Sequence, residues 1–256
     1  MSDLAAAYEG SSSGEPADVD AASSRVPEKR QDAASTFNVG LRVRWLGRIT
    51  FAEALALQEG LVAQKRANAA AEDELLLLEH EPVYTIGRTP DRTSLLGAAH
   101  LPYPLVPINR GGQATYHGPG QLIGYPILDL RKHGQDLHRY LRWLEGLLIE
   151  LLADYEIAAD RREGLTGVWV QDRKIASIGV GVRHWITMHG FALNVGGDLS
   201  PFAQIIPCGI TNVQMTTMER EANRSISVID VSADFETLAK ARVGGLGAPQ
   251  PQATTT

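Results

Sequence analysis

The stretch from Arg110 to Gln121, RGGQATYHGPGQ, restricts the possible folds of this chain more than any other feature. It holds four glycines between two apolar segments, 104–108 and 122–130, that are predicted strands. Glycines in such a place give up side-chain packing and cost backbone entropy. A tight hairpin or β-bulge is one interpretation. A second interpretation is a loop whose main chain approaches a ligand. It is favoured by the arginine, the histidine and the second glycine cluster at 118–120.

Composition excludes several classes of protein. The 256 residues are 44% hydrophobic and 21% charged, as in a soluble globular protein, and no apolar run approaches the roughly 18 residues of a membrane-spanning helix. We therefore expect a cytoplasmic protein with no membrane partner. Residues 1–36 carry a net charge of −4 and the remainder −2, so no basic excess indicates nucleic acid. Cys208 is the only cysteine, which excludes an intramolecular disulfide and a zinc site built on several thiolates.

The chain divides into three predicted parts. Residues 1–36 are rich in Ala, Ser, Asp and Glu and are predicted to form a disordered acidic N-terminal extension. Residues 37–243 have the length of one domain, and 244–256 are predicted to be a flexible C-terminal tail.

The pattern of helices and strands predicts the fold class. Thr50 to Glu53 form a capping box that begins a helix ending near residue 70. A leucine stripe predicts a core-facing helix over 136–155: it consists of Leu137, Leu141, Leu144, Leu148 and Leu151. A β-meander with a turn at Asp172-Arg173 is predicted over 167–195, and a last helix capped by Ser232. With no βαβ rhythm, this pattern predicts an α+β fold with a mixed, largely antiparallel sheet and packed helices.

Cys208 is the first candidate for chemistry. It lies in the segment IIPCGI, residues 205–210, where flanking isoleucines are typical of a small buried hydrophobe. The functional interpretation is a nucleophile, because Pro207 fixes the backbone, Gly209 leaves the sulfur uncrowded and a nearby N–H can face an oxyanion. A nucleophilic cysteine also needs a base or cation to favour the thiolate.

Lys174 is the candidate partner of that cysteine. It begins a strand on which it shares a face with apolar side chains only: Ala176, Ile178, Val180 and Val182. Such a lysine either extends its amine to water at the rim of the sheet or is desolvated. In the second case its pKa falls and it can exchange a proton with a thiol. His117 is an alternative base, although a histidine in a glycine turn commonly hydrogen-bonds its own loop, and no metal-ligand spacing is present.

Four segments together resemble the lipoyl(octanoyl) transferase family. They are residues 110–121, then DRKIASIG at 172–179, HGFALNV at 189–195 and IPCGI at 206–210, in the family's order. The resemblance covers about residues 40–243 and does not include the acidic extension. It implies a fold like the catalytic domain of biotin and lipoate protein ligases. It also implies transfer of an octanoyl group from octanoyl-acyl carrier protein to a lysine of lipoyl domains, in 2-oxoacid dehydrogenases and the glycine-cleavage H protein.

The resemblance also implies roles for individual residues. Cys208 is expected to be the acyl-thioester nucleophile and Lys174 its proton partner. The expected substrate-binding residues are Arg110, Gly111, Gly112, Gln113, Ala114, Thr115, Tyr116, His117, Ser177, Ile178, Gly179, Gly190, Phe191 and Ala192. No cofactor and no metal are expected, since the donor is already a thioester and exchange with a second thiol needs no ATP.

Three alternatives remain open at this stage. An ATP-dependent lipoate or biotin ligase of the same fold would not require a nucleophilic cysteine. A non-catalytic module that binds acyl proteins would use Cys208 and Lys174 only structurally. An amidotransferase would keep Cys208 and take octanoyl from a protein amide.

Overall fold

The computed structural model describes residues 40–89, 94–95, 101–210 and 213–247. The predictions for residues 1–36 and 248–256 lie outside the described residues. The strands are β1 (Leu41–Ile49), β2 (Asp73–His80), β3 (Val83–Ile86), β4 (Leu105–Pro107), β5 (Ala114–His117), β6 (Gln121–Ile127), β7 (Asp160–Arg162), β8 (Leu165–Val170), β9 (Arg173–Arg183), β10 (Ile186–Asn194) and β11 (Gln214–Met215). The helices are α1 (Phe51–Ala67), α2 (Leu137–Asp154), α3 (Met218–Ala222) and α4 (Val228–Arg242).

Two sheets organise these elements. The larger has the order β1-β2-β6-β10-β9-β8-β7, with β11 beside the start of β9. Its β1–β2 and β11–β9 pairs are parallel and the others antiparallel. The smaller sheet has the order β4-β3-β5 and is also mixed. The predicted α+β class with a mixed, largely antiparallel sheet is therefore confirmed.

The central strands of the larger sheet, β2, β6 and β10, are buried on both faces. In β2, Leu75 and Leu77 pack into the cluster that contains α2 and α4, whereas Leu76 and Leu78 pack against Ala54 and Val62 of α1. Successive side chains of a strand point to opposite faces, so an unbroken leucine run is what two covered faces require. No helix among the described residues is both long and apolar enough to cross a membrane.

The helix boundaries follow from their caps. The capping box at Thr50 and Glu53 is present, and α1 ends at Ala67, three residues before the predicted end, because Asn68 takes an extended conformation. The cap predicted for the last helix was wrong. Ser227 accepts from the backbone N–H of Asp230, whereas Ser232 lies inside α4 and donates to the Ile229 carbonyl. The Ser-x-x-Asp spacing at 227–230 was the missed signal.

Two other boundaries also needed correction. The meander turn is Gln171-Asp172, one residue earlier than predicted, because Val170 pairs with Arg173 and Gln171 takes the left-handed conformation at φ 51°. The predicted tail begins too early. A 3₁₀ helix spans Val243–Gly247, and Leu246 is buried in the cluster that contains α2 and α4.

Candidate active site

A cavity of about 420 Å³ lies between the glycine-rich stretch, the middle of β9 and β10, and the start of α2. This volume is within the range of small-molecule sites. It is lined by Lys174 and by eleven of the fourteen predicted substrate-binding residues: Arg110, Gly111, Gly112, Thr115, His117, Ser177, Ile178, Gly179, Gly190, Phe191 and Ala192. Together with Ile210 of the segment 206–210, these residues show that all four segments that the sequence singled out meet at this cavity.

The three remaining predicted residues do not line the cavity. The glycine-rich stretch is not entirely loop, because Ala114–His117 forms β5 and its side chains alternate. Thr115 and His117 face the cavity, whereas Ala114 and Tyr116 pack in a separate cluster with Tyr84 and Phe202. Gln113 lies against Gly209, where an added Cβ would stand 2.5 Å from the Gln113 amide carbon.

The four glycines of the stretch serve two different purposes. Gly111 and Gly112 line the cavity, and the Gly111 N–H donates to the Val180 carbonyl at 3.0 Å, which ties the loop to β9. Gly118 and Gly120 instead pack against protein. A side chain would collide with the Tyr116 ring at Gly118 and with the Gly196 carbonyl at Gly120. The sequence led us to expect that all four glycines lie along a ligand. Only Gly111 and Gly112 are in a position to do so, because they line the cavity.

Lys174 is buried, with 1% of its surface exposed. Its Nζ donates to the Thr166 carbonyl at 3.1 Å and lies 5.3 Å from the centroid of the Trp169 ring. Of the two interpretations left open by the sequence, extension to water is excluded by this burial. A desolvated amine that lines an acyl-sized cavity is suited to proton exchange with a reactant in that cavity.

Cys208 is described only through its main chain, in a 3₁₀ turn spanning Pro207–Gly209, and its side chain lies outside the described part of the chain. The turn is held by hydrogen bonds from Gly209 N to Ile206 O and from Ile210 N to Pro207 O. Ile210, two residues after the cysteine, lines the same cavity as Lys174. The backbone of this segment therefore passes next to the cavity.

Arg110 is buried beneath the glycine-rich stretch. Its guanidinium donates to the Thr85 carbonyl at 3.1 Å, to the Thr85 hydroxyl at 2.9 Å and to the Gly111 carbonyl at 2.9 Å. The Thr85 hydroxyl, which accepts from Arg110, lies 3.4 Å from His117 Nε2. Arg110 thus acts mainly as a scaffold for the loop.

Three imidazoles close to this cavity are held neutral. Burial lowers the pKa of His117 well below its ordinary value, and the nearby His80 and Arg110 lower it further. Burial likewise lowers the pKa of His80 and of His189 to about 4. A base with a strongly lowered pKa binds protons weakly at neutral pH, so His117 is a poor proton acceptor.

Several cavity residues were not predicted from the sequence: Phe51, Arg88, Ile108, Tyr125, Leu137, Leu141, Gly164, Leu165, Thr166, Val180, His189 and Ile210. Leu137 and Leu141 were assigned to the core with the rest of their stripe. Leu137 is instead 37% exposed, whereas Leu141 packs against the core as predicted, and both residues border the cavity. Periodicity identifies the apolar face of a helix but not which turn of it is covered.

Comparison with known proteins agrees with this fold and site. A family model described as the lipoyl protein ligase A/B catalytic domain matches residues 50–238. The octanoyltransferase of Geobacter sulfurreducens is 55% identical over 188 residues, covering 73% of this chain and 78% of that protein. The octanoyltransferase of Synechococcus elongatus is 50% identical over 175 residues, covering 67% and 75% of the two chains.

Solved structures show the same fold at low sequence identity. A bipartite lipoate protein ligase of Thermoplasma acidophilum has a TM-score of 0.60 at 15% identity, over 84% of this chain and all of that one. The T. acidophilum protein Ta0514 with bound lipoic acid has a TM-score of 0.61 at 13% identity, over 80% and 86% of the two chains. The predicted likeness to lipoate ligases is confirmed.

The fold and the family model define the class, and this chain belongs to the lipoyl protein ligase A/B catalytic domain family. Within it, identity of 50–55% over two thirds or more of the chain places it in the octanoyltransferase family and makes it an acyltransferase. The resemblance seen in the four sequence segments is confirmed.

Proposed function

We propose that this enzyme transfers an octanoyl group from octanoyl-acyl carrier protein to a lysine of lipoyl domains through a thioester on Cys208. The observation that carries the proposal is the position of Lys174. It is a buried lysine in the wall of a largely apolar cavity that also borders the segment of the only cysteine. The proposed location is the cytoplasm, where a lone thiol stays reduced.

In the first step, the Cys208 thiolate attacks the thioester carbonyl of the donor. A new carbon–sulfur bond forms, the bond to the carrier thiol breaks, and Lys174 passes the proton from Cys208 to the leaving thiolate. The exchange of one thioester for another is close to thermoneutral, and thiols of similar pKa are suitable as nucleophile and leaving group. The step therefore needs neither ATP nor a metal.

In the second step, the ε-amine of the acceptor lysine attacks the Cys208 thioester. Lys174 takes the proton that this amine must lose, the amide bond forms, and the Cys208 thiolate leaves. The proposed donors to the oxyanion in both steps are main-chain N–H groups of the Cys208 turn and the glycine-rich stretch, other than those of Gly209, Ile210 and Gly111, which already donate to carbonyls. The neutral imidazole of His117 is assigned to shaping the cavity rather than to proton transfer.

The proposed acyl site uses the apolar and small residues of β9 and β10. Ile178, Phe191 and Ala192 supply apolar walls, and Gly179 and Gly190 also line the cavity. The Gly179 and Gly190 positions have no room for a Cβ, which would stand 2.9 Å from Arg110 Cδ and 2.2 Å from the Gly124 carbonyl oxygen. Substitution there would therefore disturb the site through its packing.

The test is transfer without ATP. Purified enzyme is mixed with octanoyl-acyl carrier protein and a lipoyl domain, and octanoylation of the domain is followed by mass spectrometry. The proposal predicts transfer that does not depend on ATP and that is lost in Cys208→Ser. Transfer only from free octanoate and ATP would favour a ligase of the same fold, and binding of the carrier protein without transfer would favour a non-catalytic module.

A further inference from the structure

The peptide unit between Thr166 and Gly167 connects Lys174 to a buried carboxylate. Its carbonyl oxygen accepts from Lys174 Nζ at 3.1 Å. Its N–H lies in the same plane, points in the opposite direction and donates to Glu145 Oε1 at 3.1 Å. Because the peptide is planar, its two polar groups move together, so the carboxylate that holds the N–H also fixes the direction of the carbonyl.

Glu145 is itself firmly held. It is fully buried on α2, and its second oxygen accepts from Arg142 at 2.6 Å and from Arg161 at 3.1 Å. Arg161 lies on β7, and it also donates to the Arg142 carbonyl at 3.0 Å. The carboxylate thus attaches the β7–β8 hairpin, which contributes Gly164, Leu165 and Thr166 to the cavity, to helix α2.

We propose that Glu145 is a positioning residue for Lys174 and acts through the Thr166–Gly167 peptide. A carboxylate on the N–H side polarises the peptide, so its carbonyl becomes a better acceptor for the lysine amine. Arg142 and Arg161 offset part of that negative charge. Glu145 does not line the cavity, so it acts on the reaction through the groups that it positions, and Lys174 is the titratable one among them.

This inference deepens the proposed function and rests on it for the role of Lys174. Arg162 on β7 and Arg173 on β9, the strand of Lys174 itself, are charged groups near the lysine. Arg162 lies 4.9 Å from the Trp169 ring that Lys174 also contacts, and Arg173, which precedes Lys174, is paired with Glu221 at 2.8 Å. Substitutions at Glu145 and Arg142 leave Arg162 and Arg173 in place, so they test the proposed connection specifically.

The test measures the Lys174 amine directly and does not require transferase activity. Full-length protein is treated briefly with acetic anhydride over a series of pH values, and acetylation of each lysine is read by peptide mass spectrometry. The chain has only five lysines, and the exposed Lys132 and Lys240 serve as references within the same sample. Glu145→Gln removes the negative charge, so the pH midpoint of Lys174 acetylation should fall by about one unit.

Arg142→Met should shift the pH midpoint of Lys174 acetylation in the opposite direction, and it tests the proposal if Glu145→Gln does not fold. The arginine is half exposed, and its removal leaves more of the Glu145 charge uncompensated, so the Lys174 midpoint should rise. Glu150→Gln, which removes an exposed carboxylate from the same helix, should leave the midpoint unchanged. Midpoints that stay at the wild-type value in Arg142→Met and in folded Glu145→Gln would overturn the inference.

Kinetics supply the functional readout. In folded Glu145→Gln, kcat for octanoyl transfer should fall about tenfold because the amine is misplaced, while KM for the donor changes less than about twofold. A rise in KM at constant kcat would contradict positioning of Lys174. If wild-type enzyme takes up no octanoyl group at all, the proposed function fails, and the acetylation midpoints still decide whether Glu145 acts on Lys174.

Discussion

Lys174 fills the space that a side chain at Gly167 would take. A Cβ at position 167 would lie 2.7 Å from Lys174 Cε and 2.6 Å from the Ala176 carbonyl oxygen, and Gly167 has φ +126°. This glycine is required both for its backbone conformation and for the room that it leaves to the buried amine. The position of the proposed proton acceptor therefore depends on a residue with no side chain of its own.

Gly167→Ala should displace Lys174 and lower the rate of octanoyl transfer by about 100-fold in the folded protein. Gly47→Ala is the matched control, since Gly47 also has a positive φ of 66° but would meet nothing within 4 Å. The control should lose only about 1 kcal/mol of unfolding free energy and no activity. Urea titrations and transfer rates of both variants check this, and equal activity of the two would contradict the packing argument.

Replacement of the buried Lys65 by methionine should lower stability, whereas replacement of the buried Lys174 should lower activity. Lys65 is paired with buried Asp73 at 2.8 Å, so Lys65→Met should cost about 3–5 kcal/mol of unfolding free energy because it leaves a buried carboxylate without that partner. Lys174→Met should change the stability by about 1 kcal/mol or less and reduce transfer at least about 100-fold. Denaturant unfolding and transfer rates separate the two, and an active Lys174→Met enzyme would refute the proposed role.

Lowering the pH should destabilise the fold through its buried histidines. Burial lowers the pKa of His80 to about 4, while in the unfolded chain the group titrates near its ordinary 6.5. Between these values the unfolded state binds more protons, so the contribution of neutral His80 is complete above pH 6.5 and is lost as the pH falls toward 4. When the pH is lowered from 7 to 4.5, the unfolding free energy of His80→Gln should therefore fall by about 2 kcal/mol less than that of wild type.

Urea unfolding at the two pH values measures this difference. His138→Gln, at the exposed start of α2, is the control and should show the wild-type pH dependence. A wild-type slope in His80→Gln as well would show that another group is responsible.

Enlarging Ala192 should shorten the acyl chain that the enzyme accepts. Ala192 lines the cavity on β10 beside Ser177 of β9, so a phenylalanine there removes volume from the proposed acyl site. Since an apolar slot discriminates about 1–3 kcal/mol per methylene, Ala192→Phe should lower the kcat/KM ratio of octanoyl to butyryl donors at least about tenfold. Each donor is the other's control in competition assays, and an unchanged ratio would place the acyl chain elsewhere.

Much of this arrangement was predictable because local signals are strong in this chain. The capping box at Thr50 and Glu53 defined the start of α1, and the leucine stripe defined α2. The less predictable features depend on tertiary packing. Nothing in the spacing of Gly118 and Gly120 shows that they pack on Tyr116 and on Gly196 rather than along a ligand.

The parts of the candidate site that depend on tertiary packing were also less predictable from the sequence. The sequence left the environment of Lys174 open, because alternation places it on an apolar face but does not show what covers that face. Its burial depends on the β7–β8 hairpin, which Glu145 of α2 holds through Gly167, 22 residues later in the chain. A carboxylate in a leucine-rich helix is usually a solvated residue, so no local signal pointed to Glu145.

The central claim is the thioester on Cys208, and intact-protein mass spectrometry tests it most directly. Enzyme is mixed with octanoyl-acyl carrier protein without ATP, and because the chain has one cysteine, the position of a thioester is unambiguous. We predict a single octanoyl increment that hydroxylamine removes, that a lipoyl domain discharges and that Cys208→Ser abolishes. An enzyme that remains unmodified while it still octanoylates the lipoyl domain would contradict the covalent mechanism.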